Sequence, residues 1–348
     1  MRRQHILHSV GILLKGGEGA SLRDESQTAA LRNEIILPTK LLCTLRNATL
    51  PAPNLRGTML TMYRLFLPLL LALPGCAPPA ESPHIPEIPP QRIIATLPSI
   101  VEVLFDIGLG DRIIAVSDTT NYPPEAATIE KIGGHFDINR EKIISLRPDL
   151  IILPAGSPLL RRPLSVPVQT VDHDNMQGVL ASYIDIGELF GEDVLTVTKQ
   201  RRQELLDKLH AFEARAQGKT PWKTLIAIDR SHGTGRIQHL FVAGRDSFLT
   251  EVVALAGGEN VAASMGLLAP QLSAEGIIDL APEVIIDIQI PGRDLSRSAA
   301  DWQSLGNSVP AVRNNRILTL TEDFASIPGP RTPMLIERIA QYYESFEP

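Results

Sequence analysis

The sequence predicts an α/β fold of two similar lobes with mainly parallel sheets, joined by one long α-helix. Three observations carry that prediction. The chain repeats itself: residues 139–153 read NREKIISLRPDLIIL and residues 273–287 read SAEGIIDLAPEVIID, identical at seven of fifteen positions. From Gln91 onward, short runs of Ile, Leu and Val alternate with segments of helical periodicity, as in layered α/β folds built on parallel strands. Residues 192–217 then place Val194, Val197, Leu205, Leu209 and Phe212 at helical spacing among charges, without Gly or Pro.

The elements follow in chain order. A strand over 92–97 leads into a helix over 98–107 that stops at Gly108, and a second strand covers 113–117. The first copy of the repeat gives a short helix with Glu141 in its first turn, a Pro-acid turn at Pro148-Asp149 and a buried strand over 150–153. A strand over 166–171 completes a first lobe spanning 91–185. The region 186–221 contains the long helix, a stiff strut between lobes. The second lobe, 222–348, restarts at Trp222 with a strand over 224–229 and a polar SHGTGR loop. A helix over 246–256 ends at Gly257-Gly258 and precedes the second repeat copy with Glu275; a strand over 316–320 and a helix near 331–346 close the chain.

A weaker echo pairs VEVLFDIGLG from Val101 with TEVVALAGGE from Thr250. Glu102 and Glu141 are 39 positions apart, whereas Glu251 and Glu275 are 24 apart. The first lobe therefore carries about 15 extra residues, including NYPPEA at Asn121.

The N-terminal part reads as processing signal. Arg64 precedes LFLPLLLAL and then Pro74-Gly75-Cys76, the pattern of a lipoprotein signal peptide over 62–75. Its apolar run of nine residues is far short of a membrane span. Cleavage before Cys76 would leave that cysteine for lipidation, followed by a Pro-rich tether over 76–90. Residues 1–61 read as a non-native leader, with Met59 or Met62 the more credible start. The expected location is the periplasm or extracytoplasmic face, lipid-anchored to the membrane.

Several function classes are disfavoured. A net charge of -6 and a pI near 5.8 argue against a nucleic-acid surface. GTG at Gly233 and AGGEN at Ala256 precede no Lys-Ser/Thr pair, so neither is a P-loop. Ser247 lacks the flanking glycine of a nucleophile elbow and suits a helix start instead. His135, His173, His232 and His239 match no metal-ligand spacing, so no metal site is assigned. No catalytic residue and no resident cofactor are predicted. A metal-dependent hydrolase or redox enzyme on a similar two-lobed scaffold is the alternative reading.

PSIVEVLFDIGLGDRIIAVSDTTNYPPEA, EKIISLRPDLIIL, FLTEVVALAGGENV and PQLSAEGIIDLAPEVII together resemble the substrate-binding proteins of ABC importers for cobalamin, siderophore iron and haem. The resemblance runs from about Gln91 to the C-terminus and includes the long helix. It implies a monomeric extracytoplasmic protein that hands a metal chelate (a ferric siderophore or haem) or a corrinoid to a permease dimer with its ATPase. It also implies one docking glutamate per lobe, matching Glu141 and Glu275. Both positions independently suit a helix N-terminus.

In such a fold the ligand lies at the carboxyl ends of the strands, between the lobes. That places Ser99, Tyr122, His135 and Phe136 on the first lobe, and Arg230, His232, Phe324 and Arg331 on the second, as candidate ligand contacts. At the positions where cobalamin-binding members clamp the corrin ring with aromatics, this chain has Thr119, His135, Pro154 and Ala269. With 5% aromatic residues overall, the arginines and histidines point to an anionic iron chelate or haem.

Overall fold

The computed structural model describes residues 88–134, 137–161, 164–289, 295–296 and 298–346. The expected leader, signal peptide and Cys76 lie outside the described residues, as do His135 and Phe136. The first lobe contains β1 (Ile93–Ala95), β2 (Ile113–Val116), β3 (Glu130–Lys131), β4 (Leu150–Pro154) and β5 (Val168–Val171). They pair in the order β3-β2-β1-β4-β5, and every pairing is parallel. Ile93, Ala95, Val116 and Ile152 enter a central core, while Ile94, Ala115, Ile151 and Leu153 enter an outer one. Burial on both faces is why β1, β2 and β4 read as unbroken apolar runs rather than alternating ones.

Helix α1 (Pro98–Asp106) begins with Pro98, whose missing N–H costs nothing at a helix start, and buries Ile100, Val101, Val103 and Leu104. Helix α2 (Arg140–Leu146) belongs to the repeat. Helix α3 (Met176–Phe190) was not separated by the sequence pattern, and the expected lobe limit at 185 falls inside it. Asn175 caps it by accepting the Gly178 amide at 2.9 Å. Gly191, at φ 91, then turns the chain into α4 (Glu192–Ala216), the predicted strut. A side chain at Gly187 would run into Thr198, so this glycine lets α3 and α4 approach closely. Helix α4 also touches two second-lobe helices, α5 (Phe248–Ala256) and α9 (Thr332–Glu344), so it is packed along both lobes. Among the described residues no helix is long and apolar enough to cross a membrane.

The second lobe holds β6 (Trp222–Asp229), β7 (Leu240–Val242), β8 (Gly258–Asn260), β9 (Gln271–Leu272), β10 (Val284–Ile288) and β11 (Ile317–Leu320), with short helices α6 (Ala274–Leu280), α7 (Ser298–Gln303) and α8 (Pro310–Arg313). The order is β11-β10-β6-β7-β9, with β8 beside the start of β6. Strand β7 is antiparallel to β6 and to β9, so this sheet is mixed where the first is parallel throughout. Ser247 caps α5 through the Leu249 amide, and Gly257 ends it at φ 97.

The repeat has one structural meaning in both lobes. Asn139 and Ser273 accept the amides of Lys142 and Gly276, capping α2 and α6. Both helices end on a left-handed residue, Arg147 or Ala281, at φ 48 and 45, and the following proline cannot continue them. The acid after each proline ties down the first strand of its own lobe: Asp149 accepts the amides of Gln91 and Arg92, and Glu283 accepts that of Lys223. Strands β4 and β10 then pair in corresponding registers, Leu150 with Ile93 and Val284 with Thr224. Ile143 and Ile277 pin the helices onto the outer sheet faces. The inner faces share one central core that runs from Ile93 through Leu205 and Leu209 of α4 to Leu335.

Candidate ligand cleft and docking surface

The loops at the carboxyl ends of the two sheets meet around Arg331, the residue that opens α9. Its Nη2 donates to Glu102 of α1 at 2.6 Å and its Nη1 to Asp323 at 2.8 Å. The guanidinium stacks 3.7 Å from the Tyr122 ring centroid and 5.6 Å from that of Phe324. Glu102 is 4% exposed, and burial pushes its carboxyl above the ordinary range against the pull of Arg331. Gly329 lies beside it: a Cβ there would stand 3.3 Å from Glu102 Oε2 and 3.9 Å from the Cα of Ser99. Ser99, Tyr122, Phe324 and Arg331 are thus brought together from two lobes.

The weaker echo explains a second crossing. Glu251, the counterpart of Glu102, lies on α5 and accepts the amide of Met176, the first residue of α3, at 3.0 Å. Each of the two glutamates therefore reaches from the first helix of its own lobe to the start of the other lobe's late helix. One makes a buried ion pair and the other accepts a helix-terminal amide. In the sequence, Glu102 and Glu251 enter only as members of the weaker echo, without a role. The alignment of VEV with TEV was the available signal.

Ser99 does not present a free hydroxyl. Its Oγ lies 2.8 Å from Nδ1 of His173, which follows β5 and is 7% exposed. Burial lowers the imidazole pKa to about 4, so the ring is neutral near pH 7. Its Nε2 has no hydrogen-bond partner among the described residues.

Arg230 corrects the expectation of a cleft arginine. Its side chain is fully buried at the carboxyl end of β6, with Nη2 3.0 Å from Asp287 and Nη1 2.8 Å from Asp301. Asp287 also accepts the Trp302 indole at 2.8 Å, and Asp301 accepts the amides of Gly233 and Gly235 at 2.8 and 2.7 Å. The arginine organises the SHGTGR loop from within and offers no charge to a ligand. His232 lies half-buried on that loop. The charge of Arg331 is likewise matched by Glu102 and Asp323, so the two arginines do not make an anionic ligand a requirement.

Glu141 and Glu275 stand exposed on the first turns of α2 and α6, helices that pack on the outer face of each sheet through Ile143 and Ile277. Hydrogen bonds from its own backbone amide and from Ser273 hold the Glu275 carboxyl below the ordinary range, keeping it ionised. Among the described residues no cluster of three His, Cys, Asp or Glu side chains could hold a metal ion. The arrangement is one of convergent loops and paired surface acids.

A family described as periplasmic binding protein matches residues 93–324. The vitamin B12-binding protein of Vibrio parahaemolyticus is 30% identical over 262 residues, covering 74% of this chain and 90% of that protein. Its counterpart in Pectobacterium atrosepticum is 29% identical, covering 72% and 87%. Among solved structures, the periplasmic vitamin B12-binding protein of Vibrio cholerae matches with a TM-score of 0.63 at 25% identity, over 74% of this chain and 98% of that one. A periplasmic haem-binding protein from Pseudomonas aeruginosa shares the fold, with a TM-score of 0.63 at 22% identity over 74% and 94%. The proteins it matches are transport binding proteins rather than enzymes, and with the family model spanning both lobes and the long helix, this chain belongs to the periplasmic binding protein family.

Proposed function

We propose that the chain is the extracytoplasmic substrate-binding lipoprotein of an ABC importer, lipidated at Cys76, working as a monomer and docking on the permease pair through Glu141 and Glu275. The observation that carries this reading is the placement of the two glutamates. They occupy equivalent, exposed positions on equivalent helices, as a partner built from two like subunits requires. Within that reading, residues 62–75 are the signal peptide and 76–90 the tether that lets the lobes reach a membrane partner.

The ligand is a metal chelate held where the strand-end loops converge, and a corrinoid is the first choice. Both sequence relatives described above carry vitamin B12 in their names. At the positions of the family's corrin clamp this chain has Thr119, His135, Pro154 and Ala269, yet Tyr122 and Phe324 supply ring surface beside Arg331. Tyr122, at 39% exposure, keeps surface open that could meet a flat ligand. Calorimetric titration of the full chain with hydroxocobalamin, haemin and a ferric hydroxamate tests this. Saturable binding of hydroxocobalamin, weakened about tenfold by Tyr122→Ala, supports the corrinoid. Binding of haemin or the hydroxamate alone moves the assignment to that chelate, and no binding of any of the three contradicts the ligand class.

A further inference from the structure

The repeat keeps seven identities, and the fold accounts for most of them. Ile143 and Ile277, and the strand pairs Ile151 with Ile285 and Ile152 with Ile286, are buried in the cores. Leu146 and Leu280 pack against those cores, and Pro148 and Pro282 end the helices. Two identities remain without a packing reason. One is the pair Glu141 and Glu275; the other is Ile144 and Ile278, which are 57% and 39% exposed. The glutamate and the isoleucine are three residues apart on a helix, which places them as neighbours on one face. A β-branched apolar side chain in water gains nothing for its own helix, where the neighbouring exposed position differs between copies: Ser145 in the first corresponds to Asp279 in the second.

We propose that each docking point has two parts, a carboxylate and an isoleucine one turn further along. The partner is then a pair of like membrane subunits, each offering a cation beside a small apolar recess. This inference rests on the docking reading above and adds the apolar half of the contact. The carboxylate fixes orientation and speeds encounter, while the isoleucine supplies desolvated area, as expected when a charge pair in water is worth little by itself. The twofold repetition of the pattern selects a partner with two equivalent sites, since a single irregular surface has no use for a second copy 134 residues away.

The test measures binding of the full chain to the source cell's ABC permease–ATPase complex, purified and reconstituted in lipid nanodiscs. Ile144→Ser and Ile278→Ser should each weaken binding about tenfold and together about a hundredfold, in proportion to the area of one isoleucine per site. Val197→Ser, which removes an equally exposed apolar side chain from α4, should leave it unchanged. All three positions are exposed, and melting curves matching the parent chain confirm folding. If Glu141→Ala and Glu275→Ala abolish binding while both isoleucine variants stay within twofold of the parent, the isoleucine proposal is wrong and the docking reading stands. If neither the glutamate nor the isoleucine variants change binding, both fail.

Discussion

At its strand ends the first lobe carries Ser99 and a neutral buried histidine, whereas the second carries an arginine sealed between two aspartates. On their outer faces the same two lobes carry matching helix caps, matching left-handed helix ends, matching Pro-acid anchors and matching exposed Glu-Ile pairs. Identity is retained where the lobes would meet like partners and lost where they enclose something asymmetric. A ligand between the lobes has no twofold axis, so the two walls are free to diverge. On the docking reading proposed above, a pair of permease subunits does have one, and that shared partner would hold the outer faces alike.

This contrast yields predictions that differ between lobes. The largest effect belongs to the second lobe. Arg230→Met should cost about 3–5 kcal/mol in urea unfolding, because Asp287 and Asp301 would be left buried without their cation. A cost below about 1 kcal/mol would show that the polar core of this lobe is dispensable and that the difference from the first lobe is not energetic.

The first lobe should respond to acid instead. His173 takes a proton readily in the unfolded chain near pH 6.5 but only near pH 4 when folded. The unfolded state therefore binds more protons in that window, and stability falls as pH drops from about 6.5 towards 4, by up to about 3 kcal/mol. His173→Asn should flatten this part of the stability–pH curve. An unchanged curve would place the acid sensitivity elsewhere.

The crossings between lobes should be unequal. Glu102→Gln leaves Arg331 with Asp323 alone and should cost about 1–3 kcal/mol, since the lost partner is buried. Glu251→Ala removes a solvent-exposed cap on α3 and should cost less than about 1 kcal/mol. Equal costs would mean that burial does not separate the two glutamates and that the cross-lobe contacts are interchangeable.

Much of this was legible in the sequence. The repeat, the strut from Glu192 to Ala216 and the strands that read as unbroken apolar runs are local patterns, and local patterns survive in one dimension. Strands β3, β7, β8 and β9 were missed because two or three residues carry no periodicity. Helix α3 was absorbed into its surroundings because its exposed stripe, Gln177, Ala181, Asp185 and Glu188, is narrow and only Gly191 separates it from the helix that follows. The pairing of Glu102 with Arg331 spans 229 positions, and the Arg230 network draws on residues 57 and 71 positions away. Nothing in local composition states which carboxylate an arginine will meet. Arg230 and Arg331 are therefore legible as charges near the strand ends, while the carboxylates that match them are not.

The most direct test of the account is uptake by cells carrying Glu141→Arg and Glu275→Arg, with ligand affinity measured on the same purified chains. Reversal at either lobe should abolish uptake while affinity stays within twofold of the parent, because both glutamates are exposed on helices packed against the outer sheet faces rather than paired within the Arg331 cluster. Uptake retained by the double variant would contradict the claim that the two equivalent faces grip two equivalent subunits.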